Sequence, residues 1–140
     1  MKKISLLVSL LISTNCFANE LNHFNEVQTA ATAGKTIHIA VDFSKCTFPM
    51  NALNVPSSIG IFTPNTVQVT NDHIATSLTH FTINNPAFPE KAIYEFATYT
   101  ITTKDQLNIT MQFLDAANYT PLGNKITFNC KLGVSAKIYS

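Results

Sequence analysis

The side chains of this sequence best suited to covalent chemistry are its three cysteines, Cys16, Cys46 and Cys130. Cys16 lies within an N-terminal segment typical of a secretory signal peptide, so export would leave one pair in the mature chain. An even pair of cysteines in an oxidising compartment is typical of a disulfide. We therefore predict a Cys46–Cys130 bridge. By restricting the unfolded chain, it would stabilise the fold by about 4–5 kcal/mol. The alternative is two buried free thiols.

Two histidines and one aspartate, His38, Asp42 and His80, are the candidates for catalysis. His38 and Asp42 share one face of a predicted strand, but four residues along a strand span about 13 Å, too far to share one metal ion or proton. His80 could act as a general base on Ser77 or a nearby threonine. The alternatives are a polar outer strand face and a structural histidine, and we assign no catalytic residue.

Several classes of protein that carry recognisable motifs are excluded. The chain has no His-x-x-x-His or Cys-x-x-Cys spacing, so we predict no metal site and no cofactor. Gly-x-Ser-x-Gly, phosphate-binding loops and dinucleotide fingerprints are also missing from the sequence. All nine basic residues are lysines, and loss of Lys2 and Lys3 leaves seven of them against eight acidic residues. Nucleic-acid binding needs a concentrated basic face, so we expect no nucleic-acid partner.

The first 18 residues have the three parts of a secretory signal peptide. Lys2 and Lys3 supply the positive charge, residues 4–12 form a short apolar stretch, and Ala18 ends the segment at a peptidase site. We predict cleavage after Ala18 and an exported protein that is periplasmic or secreted. The mature chain, residues 19–140, has the length of one domain.

Membrane attachment is the competing interpretation of the same segment. Acylation of Cys16 would make the protein a lipoprotein, but Asn15 stands where lipoprotein signals normally take a very small residue. The apolar stretch is shorter than the roughly 20 residues that a membrane span needs, and no later segment is long and apolar enough. We therefore expect no stable membrane insertion.

The spacing of apolar residues predicts one helix followed by strands. Helical spacing over residues 21–33 ends before Gly34, a residue typical of helix ends. Later segments alternate with the period of a strand or have a strand-like composition: 37–43, 59–63, 66–70, 73–83, 92–102, 107–113, 126–132 and 134–138. The predicted fold class is α+β, mainly antiparallel β. One N-terminal helix would pack on a strongly curled sheet of about seven to eight strands, or on a partial barrel.

Two loops are unusually apolar. The segment 47–56 carries Phe48, Met50 and Leu53, and the segment 84–89 holds Phe88 between prolines. Loops lie at the surface and often carry function, so these side chains are candidates for binding a protein partner. The alternative is that the first loop plugs the open end of the sheet.

Four short segments together resemble the VirK family of small exported bacterial proteins, which are named for a virulence region. They are Asp42–Thr47, Ser77–Thr82, Tyr94–Tyr99 and Phe128–Gly133. The resemblance covers nearly the whole mature chain. It implies export, the paired cysteines and a link to host interaction, and it brings no established catalytic residues.

The leading hypothesis is an exported, non-enzymatic, virulence-associated protein that binds a protein partner through its apolar loops. The first alternative is a carrier that holds a small apolar ligand in a cavity of the curled sheet. The second is a hydrolase that uses His80 with Asp42 or a hydroxyl group. The sequence leaves the partner and the oligomeric state open.

Overall fold

Antiparallel strands are the main secondary structure of the chain, whose computed structural model describes residues 18–48 and 58–140. Within them, the helix α1 covers Phe24–Thr32 and a one-turn 3-10 helix covers Phe43–Lys45. The strands are β1 (Glu20–Leu21), β2 (His38–Asp42), β3 (Ile59–Phe62), β4 (Gln68–Val69), β5 (His73–Thr82), β6 (Ile93–Thr102), β7 (Gln106–Asp115), β8 (Ile126–Lys131) and β9 (Ala136–Tyr139). The predicted signal peptide up to residue 17, together with Met50 and Leu53, lies outside the described residues.

The strands form two separate antiparallel sheets. Sheet A has the order β1-β9-β2-β3, and sheet B has the order β4-β5-β6-β7-β8. The prediction of a mainly antiparallel fold with one helix is confirmed for the described residues. The prediction of one strongly curled sheet or partial barrel is wrong, because neither sheet closes or curls strongly. Each sheet instead covers the apolar face of the other, which removes the need for closure.

Alternation along the strands directs one set of side chains into the space between the sheets. Ile39 and Val41 of sheet A are almost completely buried, as are Leu107 and Ile109 of sheet B. These are the apolar residues of alternating segments, as the sequence predicts. The core is therefore built by strand periodicity from both layers.

Aromatic rings join the two layers of the core. The ring centroids of Phe43 and Phe128 lie 5.1 Å apart, and those of Phe62 and Tyr99 lie 5.2 Å apart. Gly60 makes room for this packing, because a Cβ there would lie 2.5 Å from the Phe62 ring and 2.9 Å from the Phe43 ring. Desolvation raises the pKa of the buried Tyr99 far above its ordinary value, and the charge of Glu95 adds to the shift.

The helix is shorter than its predicted bounds of residues 21–33. Phe24, Val27 and Ala30 are buried, which confirms the apolar stripe, and Gly34 follows with a φ of 75°. Leu21 belongs instead to β1, which pairs with β9, so a strand precedes the helix. Backbone pairing in sheet A thus replaces the first predicted helical turn.

The turn between β6 and β7 holds the start of the helix. Asp105, with a φ of 56°, accepts the backbone N–H of Phe24 at 2.7 Å and lies 3.0 Å from Nδ1 of His23. The hydrogen bond with His23, followed by that from Phe24, holds the pKa of Asp105 below its usual range. The same contact raises the pKa of His23. A carboxylate from a distant hairpin therefore supplies the negative charge that a helix N-terminus favours.

Candidate functional site

The predicted disulfide between Cys46 and Cys130 is present. Cys46 follows the 3-10 helix after β2, Cys130 lies in β8, and 84 residues of sequence separate them. Beside the bridge, Thr47 and Asn129 exchange both backbone hydrogen bonds, at 2.9 Å and 2.8 Å. The bridge and this pair join the end of a sheet A strand to an edge strand of sheet B.

Asp42, a weak catalytic candidate, ends β2 and begins the 3-10 helix. Its carboxylate accepts hydrogen bonds from the backbone N–H and the hydroxyl of Ser44 and lies 2.8 Å from the ammonium of Lys45. Lys45, followed by Ser44, holds the pKa of Asp42 below its usual range. These contacts give the carboxylate a structural role as a helix cap.

The two candidate histidines lie in different sheets. His38 is the exposed first residue of β2, and its Nδ1 lies 2.8 Å from the hydroxyl of Thr63. His80 is exposed in β5 and faces Glu95 across the β5–β6 pair. Within residues 18–48 and 58–140, no hydrogen bond joins His80 to Asp42, His38 or a hydroxyl group. The structure therefore does not bring the three candidates together.

Residues 18–48 and 58–140 contain no group of three or more histidine, cysteine, aspartate or glutamate side chains that could hold a metal ion. Among the same residues, no helix has both the length and the apolar character required to cross a bilayer.

The aromatic residues of the two apolar loops are half-buried. Phe48 packs on Phe128 with ring centroids 6.0 Å apart, and Phe88 packs on Phe113 at 5.3 Å. For Phe48 this contact shows packing against β8, while a plug formed by the whole first loop stays a prediction. Met50 and Leu53, the other two partner-binding candidates, lie outside the described residues.

The loop of residues 84–92, between β5 and β6, is tied to sheet B by polar contacts at both ends. The amide of Asn85 donates to the carboxylate of Glu95 at 2.6 Å, and Lys91 forms an ion pair with Asp115 at 2.9 Å. Lys91, followed by the backbone N–H of Ala117, holds the pKa of Asp115 below its usual range. The loop is therefore anchored and turns Phe88 towards the sheet.

The most exposed aromatic side chains lie on the opposite face of the same part of sheet B. We name Phe81, Tyr94, Phe96 and Tyr119 the outer aromatic patch. Phe81 is 54% exposed and Tyr119 is 59% exposed. The ring of Tyr94 lies 5.5 Å from that of Phe81 and stacks on that of Tyr119 at 5.4 Å. Phe96 is two residues along β6 on the same face.

The alternation of residues in β6 could have indicated this patch from the sequence. In β6, the buried residues Ile93, Ala97 and Tyr99 occupy one phase of the alternation, while Tyr94 and Phe96 occupy the other. Aromatic residues on the phase opposite the mainly apolar, buried phase of a strand indicate an apolar outer face. Only the pairing of β5 with β6 brings Phe81 beside Tyr94.

The predicted cavity for a small apolar ligand depended on the curled sheet. The described sheets pack face to face and fill the space between them with buried side chains. The larger of two described pockets, about 430 Å³, is a surface groove beside α1, and Asn25, Glu26, Thr29 and Lys35 are among its lining residues. This groove is open to the surface and lies beside α1, not in the space between the two sheets where an apolar cavity would lie.

Comparison with known proteins identifies the family. A family model described as VirK protein matches residues 20–119. The chain belongs to the VirK family. The matched segment includes Cys46 and the whole outer aromatic patch, whereas Cys130 lies beyond its end. The resemblance seen in the sequence motifs is thereby confirmed.

Two relatives extend the match over most of the chain. An uncharacterized protein in the pinF2 3′ region of Rhizobium radiobacter is 27% identical over 138 residues, covering 94% of this chain and 93% of that protein. The crystal structure of a VirK family protein from Legionella pneumophila is similar with a TM-score of 0.79 and 29% identity. That match covers 86% of this chain and 98% of the Legionella chain. The described fold is therefore shared with nearly the whole of a solved family member.

Proposed function

We propose that this VirK family protein is an exported, non-enzymatic, virulence-associated protein that binds a protein partner. The binding surface is the end of sheet B that carries the outer aromatic patch and the adjoining loop of residues 84–92. The observation that carries the proposal is the exposure of Phe81 and Tyr119, two large rings clustered around Tyr94. Clustered exposed aromatic residues are typical of interaction sites, because they bury much area with few rotatable bonds.

The geometry of the patch favours a macromolecular partner. Tyr94 and Tyr119 stack with only 3° between their ring planes, and Phe81 packs on the Tyr94 ring from the neighbouring strand. Rings that hold one another in place lose little freedom when a partner covers them, so less binding energy is spent on ordering. Strand residues that present rings side by side form a broad surface, which suits another protein better than an enclosed small molecule.

The catalytic candidates support a non-enzymatic role. Asp42 holds the 3-10 helix through Ser44 and Lys45, His38 contacts Thr63, and His80 lies in the other sheet. General acid–base catalysis needs its groups within hydrogen-bonding reach of one substrate, and these three have separate neighbours.

Export and the link to virulence belong to the same proposal. The Cys46–Cys130 bridge is of the kind that persists in oxidising compartments. Asn19, the first residue of the predicted mature chain, exchanges backbone hydrogen bonds with Ser140 at 3.1 Å. Cleavage after Ala18 would therefore leave a chain whose first residue pairs with Ser140 directly before β1. The virulence association comes from the family.

The test is capture of a partner after chemical cross-linking of the mature protein in extracts of its own bacterium and, separately, of host cells. The double variant Phe81→Ser, Tyr119→Ser should lose a cross-linked species that the wild type forms. The control Val134→Ser removes another apolar side chain, 58% exposed, from the turn between β8 and β9. It should retain the species.

Two further variants separate the predicted loops from the patch. Phe88→Ser tests the loop of residues 84–92, and Phe48→Ser tests the segment that leads to Met50 and Leu53. A partner that binds the double patch variant as strongly as the wild type would contradict the patch as its site. Loss of the partner only with Phe48→Ser, while the melting temperature stays unchanged, would move the site to the first apolar loop.

A further inference from the structure

The edge of sheet A formed by β3 differs from the other sheet edges. The edge strands β1 and β4 contain only two residues each, and β8 pairs with Thr47 through the bridge to Asn129. In contrast, β3 has four residues, and its side chains Ile59 and Ile61 are 70% and 76% exposed. Proteins usually shorten, cover or charge their edge strands, because free backbone groups there pair with other strands.

The hydrogen-bonding pattern of β3 identifies which of its backbone groups point away from β2. In an antiparallel pair, residues that exchange hydrogen bonds alternate with residues that do not. The N–H of Phe43 donates to the carbonyl of Ser58 at 3.1 Å. By this alternation and the β2–β3 register, Gly60 and Phe62 also point their backbone groups towards β2. The N–H and C=O groups of Ile59 and Ile61 therefore point away from sheet A.

The two isoleucines thus combine backbone groups that point away from sheet A with exposed side chains. Within residues 18–48 and 58–140, no backbone hydrogen bond outside the strand ladders uses Ile59 or Ile61. Phe62 packs into the core, so the two isoleucines point to the outer face of sheet A. An occupant of this edge must be an extended strand, because only a strand offers donors and acceptors at the matching spacing.

We propose that the occupant is the β3 strand of a second copy of this chain. A two-fold axis through Gly60 would place Ile59 of one copy opposite Ile61 of the other and join both A sheets into one continuous sheet. Each isoleucine would exchange both backbone hydrogen bonds with its opposite residue. This register is self-complementary, as an interface between two identical surfaces must be.

The side chains of β3 agree with this register. Gly60 would lie opposite itself in a non-hydrogen-bonded pair, where strands approach most closely, and it carries no side chain to clash. Ile59 and Ile61 would pair on the same outer face and cover apolar surface that each copy exposes alone. The strand Ile59–Phe62 contains no charged residue, so pairing two copies creates no like-charge repulsion across the axis. The contact is small, so a weak, concentration-dependent dimer is expected.

Sedimentation analysis of the mature, disulfide-bonded protein over a concentration series extending into the millimolar range tests the proposal. The wild type should shift from monomer to dimer as concentration rises, and Ile61→Lys should remain monomeric. Val134→Lys, which adds the same charge at an exposed apolar position away from β3, should dimerise like the wild type. A wild type that stays monomeric throughout, or a dimer that persists in Ile61→Lys, would overturn the proposal.

Amide hydrogen exchange measured by NMR locates the interface. At low concentration the amides of Ile59 and Ile61 should exchange rapidly, while those of Gly60 and Phe62 are protected by β2. At high concentration the two isoleucine amides should become protected by at least tenfold, a change that mirrors the fraction of dimer. Unchanged exchange at Ile59 and Ile61 in a dimeric sample would reject this edge. The double variant Phe81→Ser, Tyr119→Ser should still dimerise, so the proposed function and this inference fail separately.

Discussion

The two halves of sheet B are built from the same three long strands but have different surroundings. In the half beside the β6–β7 turn, which we call the turn half, Ile101 and Leu107 are fully or almost fully buried. On the same inner face in the half beside residues 84–92, which we call the loop half, His80 is exposed and Phe113 is half-buried. The outer face of the loop half carries the outer aromatic patch. A single set of strands therefore provides both the core and the candidate binding surface.

Strand length explains the difference. Strands β5, β6 and β7 contain ten residues each, whereas β2 and β9 of sheet A contain five and four. At roughly 3.3 Å per residue, the long strands extend about 33 Å and the short ones about 13–17 Å. Sheet A can cover only part of the inner face of sheet B, so the short loop of residues 84–92 must cover the remainder.

The largest expected effect concerns the disulfide at the turn half. Replacing Cys46 and Cys130 together by serine should lower the free energy of unfolding by about 4–5 kcal/mol, because the unfolded chain loses the constraint of a long closed loop. Urea denaturation measures the change. Reduced wild type should unfold at nearly the same urea concentration as the double variant, and a loss below about 1 kcal/mol would contradict the bridge as the main constraint.

The next effect compares two leucines of the same strand. Leu107→Ala in the turn half should cost about 2–5 kcal/mol, because it opens a cavity at a fully buried site. Leu114→Ala in the loop half should cost about 1 kcal/mol, because Leu114 is half-buried on the outer face. Both variants are measured by urea denaturation. Equal losses would contradict Leu107 as a core residue and Leu114 as a residue of the outer face.

A smaller effect, which depends on pH, is expected at the turn that holds the helix. Asp105→Asn keeps a residue that tolerates positive φ but removes the charge beside Phe24 and His23, so stability should fall by about 1 kcal/mol or less at pH 5. The folded-state pKa of Asp105 is lowered, so its contribution is present above its unfolded pKa, about 3.9, and is lost as pH falls through the folded value.

His23 sets the upper end of the pH range in which its contact with Asp105 adds to stability. The folded-state pKa of His23 is raised, so its contribution is complete below about pH 6.5 and is lost as pH rises through the folded value. The melting temperatures of wild type and Asp105→Asn should therefore differ most between about pH 4 and 6.5. Asp72→Asn, at an exposed aspartate that also pairs with a histidine, is the control and should change the melting temperature less.

A comparably small effect is expected at the outer aromatic patch. The double variant Phe81→Ser, Tyr119→Ser should cost less than about 1.5 kcal/mol, mainly through loss of the ring contacts with Tyr94. Its melting temperature, compared with that of Leu107→Ala, measures the contrast. A loss as large as that of Leu107→Ala would mean that the patch serves stability, which would weaken its role as a binding surface.

Much of the secondary structure could be predicted, because helices and strands follow from residue patterns within short segments of the chain. The alternation of Ile37, Ile39 and Val41 indicated a strand whose buried face is now seen, and Gly34 indicated the end of the helix. Leu21 was assigned to the helix because its spacing fits, but its backbone pairs with Ile138 in β9. That pairing joins distant parts of the chain, and local spacing contains no information about it.

The candidate site was harder to predict than the elements. Phe88 was expected to be displayed because it lies in a loop, but Phe113 provides a ring on which it packs. Phe81 and Tyr119 were overlooked, because neither stands out locally. Exposure depends on which neighbours the fold brings near, and those neighbours come from distant parts of the chain.

The sequence by itself determined the type of each main element, the cysteine pair and the family, because strand periodicity, helix spacing and short motifs are local properties. The tertiary structure decided that the strands form two sheets and that Asp105 holds the helix. It also decided which half of sheet B is covered. Alternation indicates which side chains of a strand share a face. It does not indicate which strands pair or which sheet packs on that face, because both depend on contacts between residues far apart in the chain.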